Sequence, residues 1–227
     1  MIRVEKIWKE FGGVHAVRDC SLDVTPHTIT SIIGPNGAGK TTLFNIICGI
    51  IQSDSGRVIF DGADVTGKAS YQVAEAGVSR TFQQARLFRN MTVRDNLLVS
   101  HACSDAEMKE VLGKVRFPLG LDVKCSALSY GQSRMIEIAR ALLKPHKMLM
   151  LDEPTAGLNP KVRQELRGIL LRLKKAGNTI LLIEHDMEFV MSISDEVIVM
   201  AEGTVLTRGK PSVVQKDKRV LEAYLGK

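Results

Sequence analysis

Long apolar runs are missing from this chain of 227 residues. The most apolar stretch, Leu43 to Ile51, is interrupted by Asn45 and Gly49 and falls short of the ~20 residues that a membrane-spanning helix requires. The first residues carry charges where a signal peptide would have its apolar region. We therefore expect a chain that does not cross a bilayer by itself and that resides in the cytoplasm.

Cysteine is scarce, and its spacing excludes two kinds of site. The four cysteines form no CxxC pair and have no histidine cluster nearby: Cys20, Cys48, Cys103 and Cys125. This pattern argues against a zinc site and against a disulfide framework, and it favours buried thiols in a reducing compartment. Repeats, low-complexity segments and long linkers are also absent, so we predict a single domain over residues 1–227.

The residues that are present favour a folded protein with an anionic partner. Apolar residues make up 44% of the chain and charged residues 25%, which is enough for a sizeable core and argues against disorder. Lys and Arg number 31 against 25 Asp and Glu, giving a net charge of +6. This surplus suits a nucleotide, a nucleic acid or a lipid surface and does not choose among them.

The hydrophobic pattern predicts an α/β fold. Three short apolar runs lack polar alternation, as is typical of parallel strands covered on both faces: 28–33, 148–151 and 179–183. Three runs near the N-terminus, bounded by turn residues, predict a partly antiparallel β layer: 2–8, 14–24 and 57–60.

From Leu87 the pattern becomes helical, with Thr92 as a candidate N-cap for a helix to His101 and Asp105 as one for a helix to Lys114. We expect a helical subdomain at about 87–145, inserted into a core formed by 1–86 and 146–227, and two short helices in the tail.

One motif indicates phosphate chemistry through its spacing. Residues 34–41 read GPNGAGKT and fit G-x-x-x-x-G-K-S/T, between an apolar strand and a helical pattern. The glycines let backbone N–H groups surround a phosphate, Lys40 can reach the β- and γ-phosphates, and Thr41 can offer its hydroxyl to Mg²⁺. An ordinary glycine turn would not require Lys and Thr at these positions. We define the phosphate-binding loop as Gly34, Pro35, Asn36, Gly37, Ala38, Gly39, Lys40, Thr41 and Thr42.

Two adjacent carboxylates, Asp152 and Glu153, follow the apolar run at 148–151. The carboxyl ends of strands meet the ligand crevice of an open α/β sheet, so Asp152 could hold Mg²⁺ and Glu153 could orient or deprotonate a water. Solvated loop charges are the alternative. The phosphate-binding loop upstream makes the catalytic interpretation the favoured one.

A third segment, 127–134, reads ALSYGQSR and places Ser129 as the N-cap of a helix from Gln132 to Leu143. The free N–H groups of such a helix start suit an anion, although a capped helix without function would look the same.

Taken in order, GPNGAGKTT, TFQQ, LSYGQ, LDEP, AGLNP and a lone histidine after TILLIE resemble the nucleotide-binding subunit of an ABC (ATP-binding cassette) transporter, over nearly the whole chain. The resemblance implies a phosphate-loop NTPase core with an N-terminal antiparallel β layer and an inserted helical subdomain. It also implies ATP hydrolysis with Mg²⁺, a second ATP-binding subunit that is identical or different, and transmembrane permease subunits.

The resemblance assigns roles to single residues. Phe11 matches the aromatic that stacks on adenine, with a core aromatic as the alternative. Gln83 matches the glutamine that links Mg²⁺ and water to the membrane subunit, and it is preferred over Gln84 because it follows Phe82 directly. His185 matches the switch histidine that touches the γ-phosphate, with a surface imidazole as the alternative.

The resemblance also assigns the metal and catalytic groups. Asp152 matches the carboxylate that binds Mg²⁺, together with Thr41 and Gln83. Glu153 matches the catalytic carboxylate.

The segment Leu128–Gln132, called the signature segment below, resembles the loop that closes on the ATP of the opposite subunit through Ser129, Gly131 and Gln132. Residues Ala156–Asn159, called the interface loop, match the loop that crosses the dimer interface. The sequence departs from the family pattern at Tyr130, where a glycine is usual, and at Asn159, where many members carry Asp. A side chain at Tyr130 can point outward if Ser129 and the N–H of Gly131 make the anion contacts.

Four segments resemble the branch that imports branched-chain amino acids and related amides or urea: SRTFQQARLF, MTV, NLL and EAYLG. This implies a cytoplasmic subunit on the inner face of the membrane, a separate solute-binding protein and no nucleic-acid partner. An exporter or lipid-extraction ATPase remains an alternative. A soluble ABC protein acting on DNA or ribosomes is disfavoured, because there is one cassette and no long coiled-coil insertion between Lys40 and Ser129.

Overall fold

The computed structural model describes residues 1–82 and 86–225, without the side chain of Leu225. The strands are Ile2–Phe11 (β1), Val14–Val24 (β2), Ile29–Ile33 (β3), Ser55–Phe60 (β4), Ala63–Asp64 (β5), Val78–Arg80 (β6), Met148–Asp152 (β7), Thr179–Ile183 (β8), Glu196–Ala201 (β9) and Thr204–Gly209 (β10). They form a four-stranded antiparallel sheet in the order β2-β1-β4-β5 and a six-stranded sheet in the order β10-β9-β3-β8-β7-β6. The predicted α/β fold with an antiparallel layer is confirmed.

The six-stranded sheet is parallel except for β10, which pairs antiparallel with β9. Every residue of β3, β7 and β8 is buried, which confirms the expectation drawn from the lack of polar alternation in these runs. Ile183 of β8 lies opposite Ile32 of β3 on one side and Asp152 of β7 on the other. The carboxyl ends of these three strands therefore meet at one edge of the sheet.

The helices are Lys40–Ile47 (α1), Ser70–Glu75 (α2), Val93–Leu98 (α3), Asp105–Lys114 (α4), Tyr130–Leu143 (α5), Pro160–Lys175 (α6), Met187–Ile193 (α7), Pro211–Val214 (α8) and Lys218–Leu225 (α9), with a short 3₁₀ helix at Cys125–Ala127. Within the described ranges, none of them has both the length and the apolar content needed to span a bilayer. The last two confirm the two short helices expected in the tail.

Two helix starts test the capping predictions. Thr92 caps α3 as predicted, because its hydroxyl accepts the N–H of Asp95, but the helix ends at Leu98 rather than at His101. The prediction of Asp105 as a cap was wrong. Ser104 is the N-cap of α4 and forms a capping box with Glu107, so Asp105 is the first helical residue. The boundaries of the helical subdomain stay a prediction.

The two faces of the six-stranded sheet are covered by different layers. Leu149 and Leu151 of β7 pack on one side in a cluster with residues of α3 to α7. Met148 and Met150 pack on the other side with α1 and the antiparallel sheet. Because both faces are filled, the sheet is a rigid support for the groups at its edge.

The cysteines are free thiols, and three of them are buried. Burial raises the pKa of Cys20 to about 12 and that of Cys48 to about 11. These thiols therefore stay protonated and unreactive near neutral pH, as expected from the sequence.

Candidate functional site

The edge formed by β3, β7 and β8 brings the sequence-predicted residues together. The phosphate-binding loop follows β3, Asp152 ends β7 with Glu153 next to it, and His185 lies two residues beyond β8. The preferred glutamine, Gln83, and its neighbour Gln84 follow β6 but lie outside the described residues. The structure thus collects three separate motifs at one crevice, as parallel sheets typically do.

The glycines of the phosphate-binding loop are required by its backbone. Gly37 and Gly39 have φ values of 80° and 89°, in the left-handed region. A Cβ at Gly34 would lie 2.0 Å from the carbonyl oxygen of Met200, and one at Gly39 would lie 2.2 Å from that of Ala16. Among the described residues no side chain caps the start of α1, so its first N–H groups can serve an anion.

Lys40 is held inside this loop. Its side chain is 5% exposed, and its ammonium donates hydrogen bonds to the carbonyl oxygens of Gly34 at 2.8 Å and Pro35 at 2.9 Å. Burial lowers the pKa of Lys40, and the charges of Glu153 and Asp152 act in the opposite direction. The loop therefore keeps a cation ready at the place where phosphates are expected.

Asp152 has a partner that sequence reasoning missed. Arg80, the last residue of β6, forms a buried ion pair with the Asp152 carboxylate at 2.9 Å. Its guanidinium also donates to Asn45 Oδ1 of α1 at 2.7 Å and lies 5.2 Å from the centre of the Phe82 ring. The signal that was available is an arginine at a strand end three residues before Gln83.

The donor set near Asp152 suits Mg²⁺ that is bound together with phosphates. Thr41 and Asp152 line the same cavity of about 620 Å³, and both offer oxygen ligands. Clusters of three or more His, Cys, Asp and Glu side chains able to hold a metal do not occur in the described ranges. Mg²⁺ does not need one, because it usually takes one or two protein ligands and completes its shell with phosphates and water.

Glu153 and His185 form a pair. Glu153 Oε1 lies 2.8 Å from His185 Nε2, and because an ionised carboxylate can only accept, the imidazole donates. His185 is thus more than an isolated surface imidazole. Glu153 itself has φ of 45°, a left-handed conformation that is uncommon for a side chain of this size, and its N–H donates to Ile183 O at 3.0 Å.

Glu184 is a second residue that the sequence analysis missed. Its carboxylate is buried and accepts the backbone N–H of Thr155 at 2.7 Å and that of His185 at 3.0 Å. Burial raises the pKa of Glu184, although these hydrogen bonds oppose the rise. Glu184 therefore connects the backbone that follows Glu153 to the backbone of His185. The sequence signal for this residue was an acidic residue between an apolar strand and His185.

Phe11 lies at the end of β1 and is 48% exposed, which excludes a core aromatic. The ammonium of Lys9 lies 5.2 Å from the centre of its ring. An exposed ring can stack on a planar ligand, and the predicted adenine contact stays a prediction.

The signature segment begins α5. Ser129 is the N-cap as predicted, and it forms a capping box with Gln132, whose side chain accepts the Ser129 N–H at 2.8 Å. The helix starts at Tyr130 rather than at Gln132. Tyr130 has no left-handed strain, and its ring lies over Gly157 of the interface loop, where an added Cβ would approach it to 3.1 Å.

Replacing Tyr130 with Gly should slightly lower thermal stability and leave ATP hydrolysis within a few-fold of wild type. Glycine loses more backbone freedom than tyrosine when it is ordered at the first helical position, and the ring contact with Gly157 is lost as well. Thermal unfolding and steady-state phosphate release measure the two effects. A clear rise in melting temperature would contradict this prediction and indicate a strained signature segment.

The chain is similar to known proteins in sequence and in fold. The profile described as "ABC transporter" matches residues 17–156. The chain is 39% identical over 249 aligned positions to the high-affinity branched-chain amino acid transport ATP-binding protein BraF of Pseudomonas aeruginosa, covering 100% of this chain and 98% of BraF. It is 40% identical over 252 positions to the protein LivG of Escherichia coli K12, which has the same description, with the same coverage.

A solved structure extends the likeness to the fold. The crystal structure of the ADP conformation of an ATP-binding cassette from an ABC transporter matches with a TM-score of 0.93 and 33% identity, over 100% of this chain and 99% of that one. The nucleotide-free form of such a cassette matches with a TM-score of 0.92.

Proposed function

The chain belongs to the ABC transporter family, and we propose that it powers the import of branched-chain amino acids through a partner permease. It is an ATPase, as its family and its structural relatives are ATP-binding cassettes. The single observation that carries the choice of solute is the full-length identity of about 40% to BraF and LivG, both described as branched-chain amino acid transport proteins.

In this proposal each residue of the crevice has one task in hydrolysis. Lys40 exchanges the carbonyl oxygens of its own loop for phosphate oxygens, which are stronger partners because they are charged. Glu153 accepts a proton from the attacking water, and His185 orients that carboxylate. When bound next to Thr41 and Asp152, Mg²⁺ neutralises negative charge on the phosphates. Phe11 stacks on the adenine. Gln83 links the Mg²⁺ and water of the site to the surface that contacts the permease.

We propose that two ATP-binding subunits close head to tail around the nucleotides. Ser129 and Tyr130 at the start of α5 are exposed, so this helix start is accessible to a nucleotide that is held by a second subunit. In the closed pair, Ser129, Gly131 and Gln132 of one subunit meet the γ-phosphate held by Lys40 of the other. A single subunit is then a poor ATPase.

The permease contact is proposed beside the cavity that Thr41 and Asp152 line. Ile50 and Phe82 line this cavity, and Ile50 is exposed. Phe88, six residues after Phe82, is also exposed. The side chain of the buried Asn96 accepts the N–H of Phe88 at 2.8 Å and donates to the carbonyl oxygen of Phe88 at 3.0 Å. Ile50 and Phe88 are exposed apolar side chains that suit contact with a permease segment, and we propose that this contact holds the subunit on the inner face of the membrane.

Uptake by the strain that carries the gene tests the solute. Deleting the gene should abolish high-affinity uptake of radiolabelled leucine, isoleucine and valine at low external concentration. Plasmid-borne wild type should restore it, whereas Glu153→Gln should not, because uptake requires hydrolysis. Co-purification of the wild-type chain with an integral membrane protein should accompany the restored uptake.

Other solutes distinguish the alternatives. If the deletion strain loses uptake of urea or short-chain amides but takes up leucine normally, the proposed solute is wrong and the proposed import function stands. Normal uptake of all these solutes, together with altered export or lipid transfer, would overturn the import proposal.

A further inference from the structure

The signature helix α5 carries a buried ion pair that faces the catalytic edge of the sheet. Arg134 and Glu137 lie one turn apart, 2.6 Å separates their charged atoms, and each side chain is 1% exposed. A buried ion pair is weak support for stability, since well-packed apolar residues of similar volume are often as stable or more so. The other hydrogen bonds of Arg134 and Glu137 indicate why this pair is buried here.

The pair holds the backbone on two sides of the catalytic crevice. The Arg134 guanidinium donates to the carbonyl oxygen of Phe82 at 2.7 Å and to that of Glu153 at 3.0 Å. Glu137 accepts the N–H of Phe82 at 3.3 Å. Both backbone groups of Phe82, the residue before Gln83, are thus bound by α5, and so is the carbonyl of the residue proposed as the base.

The backbone of Glu153 is the part that needs such support. Its φ of 45° is costly for a residue with a long side chain, and such conformations persist where the surroundings over-determine them. The carbonyl oxygen of Glu153 accepts a hydrogen bond from the Arg134 guanidinium and a second one, at 3.2 Å, from the N–H of Ala156. Arg134 therefore fixes the direction in which the Glu153 side chain leaves the sheet edge.

We propose that Arg134, paired with Glu137, is a positioning residue that couples the signature helix to the base of the same subunit. Ser129 is the N-cap of α5 and Arg134 lies in the second turn of the same helix, so engagement of the signature segment by the partner's ATP is transmitted through Arg134 to Glu153 and to Phe82. Each subunit then hydrolyses its own ATP when its signature segment is engaged. The inference rests on the proposed head-to-tail dimer.

The test removes both charges together, because Arg134→Met alone would leave the Glu137 carboxylate buried without its cation. The full-length double variant Arg134→Met/Glu137→Leu should fold, bind ATP with wild-type affinity and show an unchanged KM. Its kcat should fall by about 10²-fold, the size expected for misplacing a reacting group by about 1 Å. The single variant Arg134→Lys should turn over faster than the double variant and more slowly than wild type, because lysine keeps the positive charge but lacks the planar guanidinium group.

Dimer formation supplies the readout that a purely structural role would not give. In a Glu153→Gln background, the double variant should still form the ATP-dependent dimer in size-exclusion chromatography, so that closure and hydrolysis are uncoupled. Arg94→Met is the matched control, since it removes ion pairs with Asp105 and Asp122 within the same helical region and should keep turnover.

Three results would overturn the inference. Wild-type kcat in the double variant would show that Glu153 needs no support from α5. Loss of ATP affinity or of the dimer along with turnover would show that the pair serves folding or closure instead. A wild-type chain that neither hydrolyses ATP nor dimerises would overturn the proposed function and this inference with it, whereas the first two results leave the proposed function standing.

Discussion

Glu153→Gln should leave ATP binding intact while slowing turnover by ~10²–10⁴-fold, the range for losing a positioned general base. The amide has the shape of the carboxyl group, and its oxygen can still accept the hydrogen bond from His185 Nε2. What it loses is the basicity needed to take a proton from water. Steady-state phosphate release measures the rate, and calorimetry measures ATP affinity.

The same variant should accumulate as an ATP-dependent dimer in size-exclusion chromatography, because closure occurs and the hydrolysis that reopens it does not. Glu165→Gln, an exposed residue on α6, is the matched control and should turn over at the wild-type rate. Wild-type turnover in Glu153→Gln would remove Glu153 from the role of base.

Lys40→Ala should abolish measurable nucleotide affinity without unfolding the chain. The ammonium would make charge-assisted hydrogen bonds to phosphate, each worth ~1.5–3 kcal/mol, in a pocket where water competes poorly. Folding should survive because the described hydrogen bonds of the Lys40 side chain reach only carbonyl groups of its own loop. Isothermal calorimetry with ATP and circular dichroism give the two readouts.

Lys175→Ala, which removes an exposed lysine at the end of α6, is the control for the loss of one positive charge. It should bind ATP like wild type. Equal ATP affinity in Lys40→Ala would show that the loop after β3 is not the phosphate site.

The parts of the fold that could be predicted are those written in short stretches of sequence. The strands β3, β7 and β8 follow from short apolar runs that lack polar alternation, and the phosphate-binding loop follows from glycines, lysine and threonine at fixed offsets. Ser129 was recognised as a cap because capping depends on residues within one turn. The misplaced cap at Asp105 came from overlooking the Ser104–Glu107 box, which is also local.

The contacts that complete the site join residues far apart in sequence. Arg80 reaches Asp152 across 72 positions, and Glu184 reaches Thr155 across 29. No periodicity encodes such pairs, because they exist only after the strands have taken their order in the sheet. Arg134 and Glu137 carry a local signal, opposite charges three positions apart on a helix, but the sequence does not say whether such a pair faces solvent or the sheet.

At position 153 the needs of the backbone and those of the chemistry conflict. A left-handed residue with a long side chain costs about 1–3 kcal/mol, whereas glycine adopts the same conformation without strain. The residue that would best suit the backbone there has no carboxyl group to accept a proton. Selection for stability alone would therefore favour an inactive protein, and a thermostabilising redesign guided by backbone geometry has to leave Glu153 unchanged to keep hydrolysis.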